Sequence, residues 1–200
     1  MDNATYETSA LRTEAPISEA VAVRATAWRG AMLSAMNAQR ALGELIDGIK
    51  KTVFYGKQVD FDRLAGSLAA AFHDLESEVG PNGHLAIKRV PVNRDAIRLL
   101  HSAMGIAGEA GEIAQTVEGM VAGSIPLRDG TNNLVEEYGD LLWYVPPGLS
   151  VIGVSISKVM QANIDKLQVR YPQKFSEANA TTRDTRAELD AIDKSISEAK

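Results

Sequence analysis

The chain has 200 residues, 45% hydrophobic and 24% charged, which is ordinary for a globular protein with length for one large or two small domains. A net charge of -5 argues against a general nucleic-acid binder, which needs a basic surface. The absence of cysteine excludes disulfides and thiolate metal sites.

Residues 1–10 are polar and lack the apolar centre of a signal peptide. Residues 15–41, rich in Ala, Met and Leu, read as helix, with Arg24, Arg29 and Arg40 scattered along it as solvated positions. Residues 43–53 continue in helical style, and Phe54-Tyr55-Gly56-Lys57 reads as a helix end with a turn. Residues 60–78 form a further helix, with Phe61, Leu64, Leu68, Phe72 and Leu75 on one stripe and Asp60 or Asp62 as its cap. Gly80-Pro81-Asn82-Gly83 is the strongest boundary signal, with a short extended piece expected over residues 84–90. No motif surrounds His73 or His84.

Asn93 or Asp95 caps a long helix expected to reach about Val121. Gly105, Gly108 and Gly111 lie inside it, each costing about 1 kcal/mol relative to Ala, and close packing against a neighbouring helix would account for them. Residues 123–132 read as a polar loop that lets the next helix, about residues 132–145, lie antiparallel. Pro146-Pro147 should then break or kink the chain at Val145, because proline removes an interior hydrogen bond and disfavours helix in the residue before it. The apolar run over residues 145–156 is short and interrupted by Pro146, Pro147, Gly148 and Gly153, so no membrane span is expected and a cytoplasmic location is the default. Ser155 or Ser157 caps a helix to about Arg170, which places Asn163, Lys166 and Arg170 on one face. Residues 176–200 are charged and Ala-rich, with a thin stripe of Leu189, Ile192 and Ile196; they read as a docking helix or a tail without chemistry.

The two long helices carry acidic pairs at i,i+3: Glu109-Ala110-Gly111-Glu112 and Glu137-Tyr138-Gly139-Asp140. On a helix both carboxylates of such a pair project from one face. One pair lies beside the stripe Ile106, Ile113, Val117, the other beside Leu134, Tyr138, Leu141, Val145, at matching angular offsets. Packing the stripes together brings four carboxylates to one edge, with Glu136 further round. Four such groups repel one another unless a cation lies between them. Oxygen ligands suit a hard divalent ion, and Mg²⁺, with Mn²⁺ as a second possibility, is the usual partner of carboxylates and phosphate.

The first half reads as a worn copy of the second. Ser34-Ala35-Met36 precedes Gly43-Glu44 at the interval at which Ser102-Ala103-Met104 precedes Gly111-Glu112. Glu44 is the counterpart of Glu112, but Glu109 maps onto Ala41, and Glu137 and Asp140 onto about Ser67 and Ala70. Most of the ligand set is therefore absent from the first copy.

The runs Gly108-Glu109-Ala110-Gly111-Glu112 and Asn133-Leu134-Val135-Glu136-Glu137-Tyr138-Gly139-Asp140-Leu141-Leu142-Trp143-Tyr144 resemble the MazG-like all-α nucleoside triphosphate pyrophosphohydrolases. Asn163-Ile164-Asp165-Lys166-Leu167 and Arg170-Tyr171-Pro172 extend the resemblance over residues 95–176. Tyr6 and Leu11-Arg12-Thr13 resemble the opening helix of such proteins, and Gly43-Glu44-Leu45 and residues 50–57 resemble stretches of phage and bacterial members. The resemblance implies an all-α helical bundle, read here as a fused tandem: a degenerate half (1–80), a linker (81–93), a catalytic half (94–176) and a charged C-terminal segment (177–200). It implies hydrolysis of ribo- or deoxyribonucleoside triphosphates to monophosphate and pyrophosphate. Metal would be held by Glu109, Glu112, Glu137 and Asp140, with Glu112 or Glu109 acting on the attacking water. Asn163, Lys166, Arg170 and Tyr171 would contact phosphates, and His101 would approach the base. Members of the family assemble as dimers, so a dimer or an intrachain pseudo-dimer is implied. The alternative is a catalytically impaired nucleotide-binding or regulatory protein of the same fold, motivated by Pro146-Pro147 and the worn first half.

Overall fold

The computed structural model describes residues 2–14, 16–79, 93–174 and 176–197, which form helices α1 (Asn3–Thr13), α2 (Glu19–Ala27), α3 (Arg29–Tyr55), α4 (Phe61–Val79), α5 (Arg94–Val121), α6 (Leu127–Ile152), α7 (Ile156–Arg170), α8 (Glu177–Thr181) and α9 (Thr185–Ser197). The described residues are all helix and connection, as the apolar periodicity requires. The boundary signal at Gly80-Pro81-Asn82-Gly83 and the extended piece over residues 84–90 lie outside the described residues. The chain divides into two compact units: residues 16–107, and residues 1–15 together with 108–200.

Within residues 16–107, α3 and α4 form a helical hairpin around Ala38, Ala41 and Ala71, with Leu68 and Leu75 packed against them. Small side chains at these positions let the two helices approach closely. The connection is built by local chemistry. Gly56 takes a left-handed φ of 61°, which only glycine adopts without cost, and Asp60 accepts the backbone N–H of Arg63 at 3.0 Å to start α4. A single helix over residues 15–41 is not what forms: α2 ends at Ala27, Trp28 lies between, and α3 begins at Arg29. Of the expected α4 stripe, Leu64 is buried while Phe72 is exposed.

Within residues 1–15 and 108–200, α5 and α6 are joined by residues 122–126. Gly123, with φ 76°, makes the turn, and the side chains of Ile125 and Met120 occupy the space where Gly119 and Gly130 lack a Cβ. The close helix approach expected at Gly108 and Gly111 is not there: a Cβ at either would meet nothing within 4 Å. Helix α6 starts at Leu127, earlier than the polar composition of residues 123–132 implies. Pro126 is in extended conformation just ahead of it, and Asp129 stands in the first turn, where a carboxylate complements the helix dipole. Nor does α6 break at Val145. It runs through Pro146 and Pro147 to Ile152 and ends at Gly153, whose φ is 70°. Both prolines are fully buried, and the hydroxyl of Ser150 donates to the carbonyl of Pro147 at 2.8 Å. Burial of the two rings and continuity with the preceding helix outweigh the local preference of proline for a helix start.

Ser155 caps α7 by accepting the N–H of Lys158 at 3.4 Å. Helix α9 packs along α7, and α1 lies against both α6 and α7. The C-terminal segment is thus a docked helix. Its anchor is polar: Leu189 is 58% exposed, whereas Glu188 is 3% exposed.

Candidate functional site

Asn93 accepts the N–H of Ala96 at 2.7 Å and fixes the start of α5, the helix that carries Glu109 and Glu112. Glu109 precedes the end of α5 by about as many residues as Glu137 follows the start of α6. In an antiparallel hairpin this symmetry places the two residues opposite each other. The carboxylate oxygens of Glu109, Glu137 and Asp140 lie within 4.8 Å of one another. Glu109 and Glu137 are half-buried and Asp140 is exposed, so the cluster opens to solvent on one side.

The electrostatics follow from that geometry. The carboxyl of Glu137 is held above the usual glutamate range, first by partial desolvation, then by the negative charge of Glu112, and by its hydrogen bond with Glu109. Three of the four carboxylates singled out in the sequence therefore converge. Glu112 is exposed and close enough to act on Glu137 through its charge, but stands outside the converging set. The close packing of the stripes beside the pairs that the sequence suggests is not seen: Val117 and Tyr138 are both exposed.

A divalent cation bound to oxygens at about 2.0–2.6 Å holds its ligands no more than about 5 Å apart. The Glu109, Glu137 and Asp140 oxygens meet that condition as they stand. Three carboxylates in this space are also under mutual repulsion that a cation would relieve. The donor set, all oxygen and all anionic, fits Mg²⁺ or Mn²⁺.

The residues expected to contact phosphate fall into two groups. On α7 the ammonium of Lys166 donates to Oδ1 of Asn163 at 2.6 Å, so these two form one polar unit on the helix surface. Arg170 is committed elsewhere. Its Nε and Nη2 donate to the two carboxylate oxygens of Glu188 at 2.9 and 2.6 Å, and Arg183 donates to the same oxygens at 3.2 and 2.5 Å. The Arg170 side chain is 18% exposed and that of Glu188 is 4% exposed. The two guanidinium groups hold the Glu188 carboxyl far below the usual glutamate range. Arg170 also stands 5.8 Å over the ring of Tyr171, the residue that ends α7. His101 is exposed and belongs to the other compact unit.

Two features have no motif. Glu188 sits in a charged segment and becomes visible only when α9 docks. Helix α1 lies on α6: the indole N–H of Trp143 donates to Thr13 at 2.7 Å, and the Tyr6 hydroxyl donates to the carbonyl of Gly139 at 3.3 Å. The only signal for Tyr6 in the sequence is its place in the opening helix.

In the α3–α4 hairpin the positions that the expected repeat aligns with Glu109 and Glu112 are Ala41 and Glu44. Ala41 is 1% exposed in the apolar core, and the carboxylate of Glu44 is paired with Arg40. Among the described residues, no acidic group there converges as Glu109, Glu137 and Asp140 do.

The segment that carries the cluster is similar to known proteins. Residues 100–175 match the family model of the MazG nucleotide pyrophosphohydrolase domain. Over 74 residues the chain is 36% identical to the Gene 37 protein of Mycobacterium phage L5; the match takes in 36% of this chain and 65% of that protein. No solved structure matches.

Proposed function

We propose that this chain, whose residues 100–175 match the MazG nucleotide pyrophosphohydrolase domain, hydrolyses nucleoside or deoxynucleoside triphosphates to monophosphate and pyrophosphate with a divalent cation. The observation that carries the reading is the convergence of Glu109, Glu137 and Asp140 within 4.8 Å, on the two helices of the matched segment. A triphosphate is strongly anionic, so an acidic pocket binds it only through a cation. Bound Mg²⁺ or Mn²⁺ supplies charge neutralisation and a water of lowered pKa.

The chain's own residues have separate tasks. Glu109, Glu137 and Asp140 hold the cation. Glu112, exposed and outside the converging set but close enough for its charge to act on Glu137, takes the proton of the attacking water. Lys166, oriented by Asn163, offers a point charge to the phosphates. Arg170 holds the end of α7 through Glu188, and Tyr171 stacks beside it, so their contribution to the phosphate site is to fix the helix that carries Lys166. His101 remains a proposed contact to the base.

The α3–α4 hairpin is read as a degenerate relative of α5–α6. Residues 56–60 connect the first pair and residues 122–126 the second, each with a left-handed glycine, while Ala41 and the Arg40–Glu44 pair replace the acidic cluster. The proposed setting is a cytoplasmic, phage-type enzyme acting as a dimer or an intrachain pseudo-dimer. Among the described residues no helix is long and apolar enough to cross a membrane.

The test is pyrophosphate release from a panel of ribo- and deoxyribonucleoside triphosphates, with Mg²⁺ and with chelator, for wild-type protein and Glu112→Gln. Metal-dependent release that Glu112→Gln reduces by two or more orders of magnitude is expected for loss of an acid–base group, of order 10²–10⁴ in rate. No release from folded wild-type protein with any nucleotide overturns the reading in favour of nucleotide binding without turnover.

A further inference from the structure

Polar contacts of helix α1 run across the helices that carry the acidic pair and the Asn163–Lys166 unit. Asn3 donates to the sulfur of Met160 on α7 at 3.3 Å, Tyr6 donates to the carbonyl of Gly139 on α6 at 3.3 Å, and Thr13 accepts from Trp143 on α6 at 2.7 Å. All of these residues belong to one compact unit. The contact at Gly139 differs from the other two in its place. Gly139 lies between Glu137 and Asp140 in the chain, inside the helical turn whose two ends carry the carboxylates.

We propose that Tyr6 is a positioning residue for the acidic cluster: its phenol, delivered by α1, holds the turn of α6 between Glu137 and Asp140. A carbonyl in a helix accepts from the N–H four residues on, and its second lone pair is open to another donor. Tyr6 fills that second place at Gly139. The pin acts on the backbone at the acidic turn, so it fixes the spacing of both carboxylates relative to Glu109 without touching either.

A phenol is protonated near neutrality and so can donate to Gly139, and partial burial followed by the negative charge of Asp140 holds it above the usual tyrosine range. Thr13 and Trp143 fasten the same helix one turn of α6 further on, through a bond between two side chains that leaves the backbone of the acidic turn untouched.

The inference rests on the reading of the cluster as a cation site, and the experiment separates the two. Mn²⁺ is titrated into wild-type protein, Tyr6→Phe and Thr13→Val, free ion being followed by electron paramagnetic resonance, with melting temperature measured on the same samples. Tyr6→Phe removes one hydroxyl and keeps the ring. It is expected to weaken Mn²⁺ binding about three- to tenfold, the range of one hydrogen bond, and to raise by a similar factor the Mg²⁺ needed for half-maximal pyrophosphate release. Thr13→Val is expected to lower the melting temperature at least as much while Mn²⁺ affinity stays at the wild-type value. Wild-type affinity in Tyr6→Phe, or equal loss of affinity in Thr13→Val, overturns the positioning role and leaves the cation site standing. No Mn²⁺ binding by wild-type protein overturns both.

Discussion

The cluster of Glu188 with Arg170 and Arg183 gives the sharpest expectation for stability. The Glu188 side chain is 4% exposed and receives four hydrogen bonds from two guanidinium groups, at 2.9, 2.6, 3.2 and 2.5 Å. Removing one partner of a fully buried ion pair costs about 3–5 kcal/mol, because the other charge is left unpaired. Here the loss is smaller. The Arg170 side chain is 18% exposed and that of Arg183 46% exposed, so both recover part of their hydration when the carboxylate is gone. Glu188→Ala is therefore expected to cost about 2–3 kcal/mol, which in a chain of this size lowers the melting temperature by about 5–10 °C. Glu188→Gln keeps the volume and one acceptor and should lose roughly half as much.

The pH dependence has a definite sign. The folded-state pKa of Glu188 lies well below its ordinary 4.5. Its contribution is therefore fully present above about pH 4.5 and is lost as pH falls from there toward the depressed folded value. The gap in melting temperature between wild type and Glu188→Gln should be widest near neutrality and close in acid. Thermal melts followed by circular dichroism over that range provide the assay. A melting temperature for Glu188→Ala within 1 °C or so of wild type would refute the reasoning, since it would mean that no desolvated charge is left behind.

Two further expectations concern the backbone. Gly130→Ala drives a Cβ into the side chain of Met120 and should destabilise by about 1–3 kcal/mol, whereas Gly43→Ala, where nothing stands within 4 Å, should stabilise by about 0.5–1 kcal/mol; denaturant titration distinguishes them. Because α6 already runs to Ile152, Pro146→Ala combined with Pro147→Ala should leave the rate of pyrophosphate release within about twofold of wild type; a rise of an order of magnitude would show that the prolines displace the site.

What the sequence made legible was local. The i,i+3 spacing of Glu109 and Glu112, and of Glu137 and Asp140, needs only helical geometry to be read, and the structure brings three of those four carboxylates together. Asn93, Asp60 and Ser155 carry their capping chemistry in the side chain itself, so those helix starts were readable without tertiary information. Where packing decides, the reading departs from the structure. Pro146 and Pro147 favour a break on intrinsic grounds, yet both are buried inside a continuous helix. Gly108 and Gly111 suggested a close helix approach, and the tight contacts are instead at Gly119 and Gly130, beside the turn. Arg170 illustrates the same limit. Its spacing from Lys166 gives it a place on the same side of α7, but its partner lies 18 residues away on a separate helix, and a pairing at that separation leaves no periodic signal.

The acidic cluster as a centre for triphosphate hydrolysis is tested most directly by ³¹P NMR of a nucleoside triphosphate incubated with Mg²⁺ and either wild-type protein or Glu137→Gln. The expected result is conversion of the three triphosphate resonances to those of monophosphate and pyrophosphate, with no orthophosphate, and no conversion with Glu137→Gln on the same timescale. Orthophosphate as the product, or full turnover by Glu137→Gln, would contradict the account.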